Sequence, residues 1–289
     1  MRLALASCSD LPDWEVDDQP LHTALQDLGH EVHGPAWDAD VDWSSFDGVL
    51  IRTTWDYTAR RAEFVSWCEG LPSPLHNPAE VIAWNTHKGY LRELEGRGVP
   101  IVPTVWMEEG DDPSDSVTES WPFSASEPLF LKPCVGATAE GTARFVEGWS
   151  TAAQGWARRL LAKGDAMLQP YLARVSEDGE RSAIAIDGAI SHWVRKVPVP
   201  GDYRVQDDHG ATDHPHSPSE AERDLVACTL EALPEGLLYA RLDWLLDDDG
   251  QPRINEVELV EPSLFFRHGP TAAHALARAW TRRLQATKA

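Results

Sequence analysis

The stretch YARLDWLLDDDGQPRINEVEL, residues 239–259, predicts a β-hairpin and decides the reading of the whole chain. Asp249-Gly250 is a typical two-residue hairpin turn. If the turn is tight, the strand pairing follows by counting outward from it. The predicted pairs are Arg241 with Glu258, Leu242 with Val257, and Asp243 with Glu256.

Side chains alternate along a strand, so the two faces of this hairpin differ sharply. One face is apolar and is predicted to join the core: Leu242, Trp244, Leu246, Val257 and Leu259. The other face carries one arginine and three carboxylates: Arg241, Asp243, Glu256 and Glu258. Carboxylates directly opposite each other repel, so this face suggests a bound cation. Oxygen ligands favour Mg²⁺ or Mn²⁺ shared with phosphates, although a solvated acidic face is the plain alternative.

Composition limits the functional classes. The chain has 289 residues and a formal net charge of −22, which argues against non-specific binding to nucleic acid or to anionic membranes. Its four cysteines are far apart and form no CxxC, so we expect reduced thiols and no zinc site. No apolar run approaches the ~20 residues of a membrane span, and a cytoplasmic location is predicted. His209, His214 and His216 are interpreted as residues of a solvated loop.

The order of predicted elements indicates an α/β chain. Residues 1–80 alternate strand and helix signals and predict a small open lobe with parallel strands, without GxGxxG after the first strand. A helix is predicted over 85–95, a strand over 128–133 and a glycine loop over 134–142. A second hairpin over 181–196 turns at Asp187-Gly188, and counting places Glu180 opposite Arg195 and Ala183 opposite His192. Further predictions are loops over 108–128 and 200–218, an extended segment over 167–172, and helices over 150–162, 220–233 and 271–285.

The order of these motifs resembles the ATP-grasp superfamily over almost the entire chain. Lys88 precedes the Gly-Val-Pro-Ile-Val-Pro segment at 98–103, and Phe130-Leu-Lys-Pro133 precedes the glycine loop. Gln169-Pro-Tyr-Leu172 matches the segment between lobes that holds adenine. Glu180 then precedes the R-x-D motif that ends at Asp243. The next strand has Glu258 where the family usually has asparagine, which leaves the number of metal ions open.

The resemblance implies three lobes, with limits at 1–85, 86–168 and 169–289, and ATP between two antiparallel sheets. It implies ATP and Mg²⁺ (or Mn²⁺) as cofactors. The nucleotide-binding residues would be Lys88, Lys132, Gly136, Thr138, Gly141, Gln169, Tyr171, Leu172 and Glu180. Asp243, Glu256 and Glu258 would hold metal, and Arg241, Lys132 and Arg204 would assist phosphoryl transfer.

Substrate binding must come from other groups. Arg52, Trp55 and Asp56 follow a strand of the first lobe at the edge where open α/β sheets bind ligands, although a surface turn is equally compatible with that segment. Further candidates for substrate binding are Arg204, Ser263, His192, Arg195 and Lys196.

The resemblance implies an ATP-dependent carboxylate–amine ligase that acts on a small amino-acid-like substrate through an acyl phosphate. The alternatives are an intramolecular ligase that forms D-cycloserine from O-ureido-D-serine, a small-molecule kinase, and a non-catalytic binding module. A homodimer is compatible with the resemblance.

Overall fold

The computed structural model describes residues 1–11, 16–113, 124–205 and 210–287, and its described part contains three β-sheets. The N-terminal sheet is parallel, in the order β2-β1-β3-β4. Its strands are β1 (Arg2–Ser7), β2 (Glu31–His33), β3 (Gly48–Thr53) and β4 (Leu75–His76). The central strands β1 and β3 are almost fully buried, as expected for parallel strands covered on both faces. The predicted parallel first lobe is confirmed.

The small sheet is antiparallel, in the order β5-β8-β6-β7. Its strands are β5 (Val105–Met107), β6 (Leu129–Pro133), β7 (Ala143–Phe145) and β8 (Ala166–Pro170). The helix Thr151–Leu161 covers one face and buries Ala153, Ala157 and Leu161 at helical spacing. Ser150 begins this helix, because its side chain accepts a hydrogen bond from the Ala153 amide.

The large sheet is antiparallel, in the order β11-β10-β9-β12-β13. Its strands are β9 (Glu180–Ile186), β10 (Ala189–Val197), β11 (Thr212–Pro215), β12 (Tyr239–Leu246) and β13 (Pro252–Glu258). The strand β11 lies in a region predicted as loop. It forms because its backbone pairs with the free edge of β10. Residues 114–123, inside the other predicted loop, and residues 206–209, including His209, lie outside the described ranges.

The remaining helices connect and cover these sheets. The α-helices are Gln19–Asp27, Arg61–Gly70, Ala79–Asn85, Tyr90–Gly96, Val175–Asp178, Glu220–Ala232 and Ala272–Thr287. Short 3-10 segments occur at Val16–Asp18, Trp43–Ser45, Trp55–Arg60 and Phe266–His268. Among the described residues, no helix is both long enough and apolar enough to cross a membrane.

Lys88 does not lie on a helix, which corrects the prediction of one helix over 85–95. The chain forms two short helices, Ala79–Asn85 and Tyr90–Gly96, with Lys88 in the turn between them. The Lys88 amide donates to the Cys134 carbonyl (2.8 Å) instead of to a carbonyl of its own preceding turn. Asn85, the last residue of the first of these helices, is anchored to the large sheet, because its side chain donates to the Val257 carbonyl and accepts from the Leu259 amide. Tertiary hydrogen bonds therefore interrupt the helix where the lysine side chain must emerge.

The hairpin of residues 239–259 has the predicted pairing at its functional end. Arg241 pairs with Glu258, Leu242 with Val257 and Asp243 with Glu256. Near the turn, however, the pairing is shifted by one residue, so Leu246 pairs with Pro252. The predicted two-residue turn is wrong: the Asp247 amide donates to the Gln251 carbonyl (2.9 Å) across a loop of three residues. A bulge at Asn255 restores the predicted pairing beyond it.

The second hairpin also contains a bulge, and here the predicted pairing is wrong. Its first pairs follow the Asp187-Gly188 turn, but the register shifts between Ile190 and His192. Glu180 consequently lies opposite Lys196 and not Arg195, and His192 lies opposite Ile184 and not Ala183. Because faces alternate with every residue, this shift exchanges the faces on which Arg195 and Lys196 project.

Two side chains join the N-terminal sheet to the large sheet. Asn77, directly after β4, donates to the carbonyls of Tyr239 (3.0 Å) and Leu259 (2.8 Å) and accepts from the Leu238 amide (2.7 Å). The Tyr239 hydroxyl contacts the carbonyls of Ile51 (3.1 Å) and Val260 (2.6 Å). A shared apolar cluster, which includes Leu5, Leu50, Ile184, Val194 and Trp280, lies beneath these contacts.

The core packing connects residues of different proposed lobes. The helices Ala79–Asn85 and Tyr90–Gly96 contribute Val81, Leu91 and Leu94 to the same core cluster as Leu242 of the large sheet. The division at 85 and 168 stays a proposal, although the limit at 168 falls within β8 of the small sheet.

Candidate active site

A cavity of about 300 Å³ is lined by residues of the small sheet, the large sheet and the first lobe. The small sheet contributes Lys132 and Gln169, and the loop at 136–142 extends along the same wall. The large sheet contributes its polar face, which we define as Glu180, Lys196, Arg241, Asp243, Glu256 and Glu258. Trp55 and Tyr57 line it from the first lobe. The volume suits a small-molecule site with a few polar groups.

The polar face is a network of ion pairs. The guanidinium of Arg241 donates to Asp243 (3.0 Å) and to Glu258. Lys196 lies 2.5 Å from Glu180 and 3.4 Å from Asp243, while Lys88 lies 2.8 Å from Glu256. The Ser182 hydroxyl donates to Asp243 (2.5 Å). Each carboxylate of the face is thus held by a cation, which keeps charged groups stable in a mostly enclosed site.

The charges are close to balance without a ligand, and burial shifts several of them. Burial lowers the pKa of Lys132 to about 8, although the nearby Glu256 opposes this shift. Burial and repulsion by Glu256 and Asp243 raise the pKa of Glu258 to about 8, against the attraction of Arg241. Clustered groups with shifted pKa values are typical of functional sites. We therefore expect a charged ligand in this cavity.

The predicted metal ligands share one face but are not gathered around a single point. Among the described residues, no three His, Cys, Asp or Glu side chains form a group able to hold a metal ion. Asp243, Glu256 and Glu258 instead contact Arg241, Lys196 and Lys88. Their oxygen chemistry fits Mg²⁺, provided that phosphate oxygens take over the contacts with these cations. Their role as metal ligands stays a prediction.

The loop at 136–142 closes one side of the cavity. Lys88 donates from Nζ to the Gly136 carbonyl (2.8 Å), which ties the loop to the polar face. Thr138 and Ala139 have φ values of 49° and 60°, in the left-handed region that ordinary residues rarely occupy. Such local strain occurs frequently where a loop holds a ligand. Gly136 and Thr138 line the cavity, whereas Gly141 supports the loop through a hydrogen bond from Trp156 to its carbonyl (3.0 Å).

The other predicted nucleotide-binding residues all line the cavity. Gln169, Tyr171 and Leu172 follow one another along its wall at the end of β8. Tyr203 packs edge-on against Phe130 (5.1 Å between ring centroids) and Tyr171 (6.4 Å). These aromatic side chains give this part of the wall the apolar surface that a planar base requires.

The predicted substrate residues divide into two groups. Trp55, Arg204 and Ser263 line the cavity. Arg204 is paired with Asp202 (2.6 Å), and Ser263 donates from its hydroxyl to Asp17 (2.9 Å). These three remain candidates for contact with a substrate.

Arg52, Asp56, His192 and Arg195 do not line the cavity, which corrects four predictions. Arg52 is 2% exposed and bonds Asp18 (2.7 Å) and the Pro262 carbonyl (2.8 Å). Asp56 accepts from Trp37 (2.9 Å) and Arg60 (2.9 Å). His192 is buried against the carbonyls of Leu264 and Phe265, and Arg195 donates to the carbonyls of Glu177 and Asp178. All four side chains are committed to contacts within the protein.

Arg52 and Asp18 should therefore contribute to stability and not to substrate affinity. Arg52→Met leaves Asp18 buried without its cation, so we expect a loss of about 3–5 kcal/mol in the free energy of unfolding. Urea denaturation measures this loss, and the Michaelis constants of the remaining folded enzyme should be unchanged. A stable Arg52→Met protein with weakened substrate binding would restore the original interpretation.

Asn255 is a cavity residue that was not predicted as a site residue. It accepts from Lys132 (3.0 Å) and donates to Glu180 (2.6 Å), so it joins the two sheets across the cavity. Strict alternation along the strand would place the polar Asn255 in the core and the apolar Ile254 in the site. This mismatch between residue type and predicted face is the sequence signal for a bulge. Lys196 was predicted as a candidate together with Arg195, and it is the one of the two that reaches the polar face.

Comparison with known proteins supports this geometry. The family model of the N-terminal domain of D-cycloserine synthetase DcsG matches residues 3–77. The cycloserine biosynthesis protein DcsG of Streptomyces lavendulae is 31% identical over 295 residues, which cover 94% of this chain and 95% of the relative. The crystal structure of D-cycloserine synthetase DcsG has a TM-score of 0.87 at 27% identity, covering 98% of this chain and all of that one.

More distant structures share the fold. A D-alanine–D-alanine ligase from Bacillus anthracis, complexed with ATP, has a TM-score of 0.70 at 13% identity and covers 99% of this chain and 98% of its own. A RimK-domain ATP-grasp protein from Sphaerobacter thermophilus has the same TM-score at 18% identity, covering 96% and 99%. With the cavity between two antiparallel sheets, these matches confirm the predicted fold. The chain belongs to the ATP-grasp ligases, ATP-dependent enzymes that form carbon–nitrogen bonds, and within them to the family of DcsG.

Proposed function

We propose that this enzyme converts O-ureido-D-serine to D-cycloserine through an acyl phosphate, with release of ADP and phosphate. The observation that carries the proposal is the similarity to DcsG across nearly the whole chain, at both the sequence and the structural level. The cavity supports it, because most of the predicted nucleotide-binding residues and the substrate candidates Trp55, Arg204 and Ser263 line the same space. The earlier alternative of an intramolecular ligase thus becomes the leading proposal.

The polar face would support transfer of the γ-phosphoryl group to the substrate carboxylate. Lys88, Lys132, Lys196 and Arg241 would offset the negative charge of the phosphates, because all four line the cavity. Mg²⁺, held by Asp243 and Glu256 with Glu258, would supply further charge neutralisation between the phosphates. The loop at 136–142 would exclude water, which otherwise hydrolyses an acyl phosphate.

Ring closure follows from the chemistry of the proposed intermediate. The nitrogen bonded to the side-chain oxygen attacks the acyl carbon, the new carbon–nitrogen bond closes the ring, and phosphate leaves. The carbamoyl group must then leave by hydrolysis, which consumes one water and releases carbamic acid. The intramolecular attack benefits from proximity, since both reacting groups belong to one bound molecule.

The test is incubation with Mg²⁺, ATP and each enantiomer of O-ureido-serine, with mass analysis of nucleotide and organic products. We expect ADP, phosphate and D-cycloserine from the D enantiomer. A stable phosphorylated product would indicate a kinase, and a coupled product formed only with a second amino acid would indicate an intermolecular ligase. AMP with pyrophosphate would overturn the acyl-phosphate mechanism, and ATP binding without turnover would favour a binding module.

A further inference from the structure

Glu261 lies in the cavity wall three residues beyond Glu258, where the first lobe meets the large sheet. It is 9% exposed and lines the cavity together with Trp55 and Tyr57. Tyr57 lies beside its carboxylate, near enough to influence its pKa, and Trp55 Nε1 donates to its carbonyl (3.2 Å). Two residues of the first lobe therefore adjoin Glu261, one at its side chain and one at its backbone.

The charge of Glu261 differs from that of the four polar-face carboxylates in one respect. Glu180, Asp243, Glu256 and Glu258 each have a lysine or arginine within 3.0 Å. Within the described parts of the chain, Glu261 forms no ion pair within 4.0 Å. Burial and the repulsion of Glu256 raise its pKa to about 7, although the neighbouring Tyr57 opposes this. A buried carboxylate without a cation is unfavourable unless a ligand supplies one.

Tyr57 is itself fixed by its surroundings. It is buried and stacks on Phe64, with 4.8 Å between ring centroids. The ring beside the Glu261 carboxylate is therefore held rigidly. A preorganised acceptor of this kind favours a small cationic group over water, because little rearrangement is needed on binding.

We propose that Glu261, positioned by Tyr57, binds the α-ammonium group of the amino-acid substrate. This inference rests on the proposed function, which assigns an amino-acid-like substrate to the cavity. Glu261 and Glu258 are three residues apart, so their Cα atoms are separated by no more than about 10 Å. An amino acid held by its ammonium group at Glu261 can thus direct its carboxylate towards the polar face.

Steady-state kinetics with O-ureido-D-serine and its des-amino analogue, 3-(ureidooxy)propanoate, tests this role. In Glu261→Gln we expect the KM for O-ureido-D-serine to rise roughly 10- to 100-fold, as for loss of a charged hydrogen bond. The KM for ATP should not change. The wild-type enzyme should bind O-ureido-D-serine far more tightly than the analogue, measured as a competitive inhibitor, and Glu261→Gln should lose this preference.

Three further variants separate the ammonium contact from general damage. Glu231→Gln, an exposed carboxylate outside the cavity, should behave as wild type. Glu261→Asp keeps the charge and should retain part of the preference for the amino substrate. Tyr57→Phe should raise the KM by a smaller factor, because it removes only the hydroxyl group of the ring beside Glu261. Thermal unfolding and ATP affinity confirm that each variant is folded.

The outcomes are distinct. A Glu261→Gln enzyme with wild-type KM and an unchanged preference over the analogue would overturn this inference and leave the proposed function standing. A wild-type enzyme without turnover of O-ureido-D-serine would overturn the proposed function, and the inference with it.

Discussion

Glu256→Gln should lower ATP turnover by roughly 100- to 1,000-fold and leave the protein folded. Glu256 is the carboxylate nearest to Lys88 (2.8 Å) and is opposite Asp243 in the hairpin. Glutamine keeps the size of the side chain and a hydrogen-bond acceptor for Lys88, but it removes the charge that would hold Mg²⁺. We expect the loss mainly in kcat, with a higher Mg²⁺ concentration required for half-maximal activity.

The measurement is ADP release as a function of Mg²⁺ concentration, with circular dichroism to monitor folding. Glu231→Gln removes one exposed carboxylate of the same type and is the matched control. A folded Glu256→Gln enzyme with normal activity and normal Mg²⁺ dependence would remove Glu256 from the metal site. An unfolded variant would be replaced by Glu256→Asp, which keeps the charge and shifts its position; it should retain folding with reduced activity.

ATP affinity should fall as the pH rises above about 8, because Lys132 loses its proton there. Burial lowers the pKa of Lys132 to about 8. Bound phosphates favour the protonated amine, so ATP binding above pH 8 must be accompanied by uptake of a proton. The affinity should then fall by up to about tenfold for each pH unit. The effect ends near the ordinary lysine pKa of ~10.4, if ATP restores that value.

The same shift has the opposite effect on folding. The folded chain binds this proton more weakly than the unfolded chain, so between pH 8 and roughly 10.4 the unfolded chain carries more protons. The contribution of Lys132 to stability therefore increases as the pH rises through that window. ATP affinity and this stability contribution should change in opposite directions.

Calorimetry at pH 9 in two buffers of different ionisation enthalpy measures the proton uptake directly. Lys132→Met should abolish the uptake and lower ATP affinity at pH 7, whereas Lys163→Met, on an exposed lysine, should change neither. Equal proton uptake by the wild type and Lys132→Met would show that another group titrates.

The hairpin of residues 239–259 shows how much of the strand pairing can be predicted from sequence patterns. The pairing of Arg241 with Glu258 and of Asp243 with Glu256 was predicted by counting from a turn. The count was right because two departures cancel: a three-residue loop shifts the register and the bulge at Asn255 shifts it back. In the second hairpin only the bulge occurs, so the predicted partner of Glu180 was wrong by one residue.

The predicted substrate residues show a different limit of prediction from sequence. Arg52 lies at the carboxyl end of β3, the expected edge of the first sheet, yet its guanidinium contacts Asp18 and Pro262. Those partners are 34 and 210 residues away in the chain, so no local pattern reveals them. The surroundings of Glu261 are likewise set by distant residues, because Tyr57 and Trp55 approach it from another lobe.

The sequence by itself determined the alternation of strands and helices, the apolar and charged faces of the last hairpin, and the order of motifs that identifies the fold. These depend on local periodicity and on residue types, which each segment carries alone. The tertiary structure alone decided which side chains face the cavity. That choice depends on bulges, on the break in the helix before Lys88, and on ion pairs between distant segments. A one-residue shift reverses the face of a strand at little local energetic cost, and only packing between the lobes selects the register.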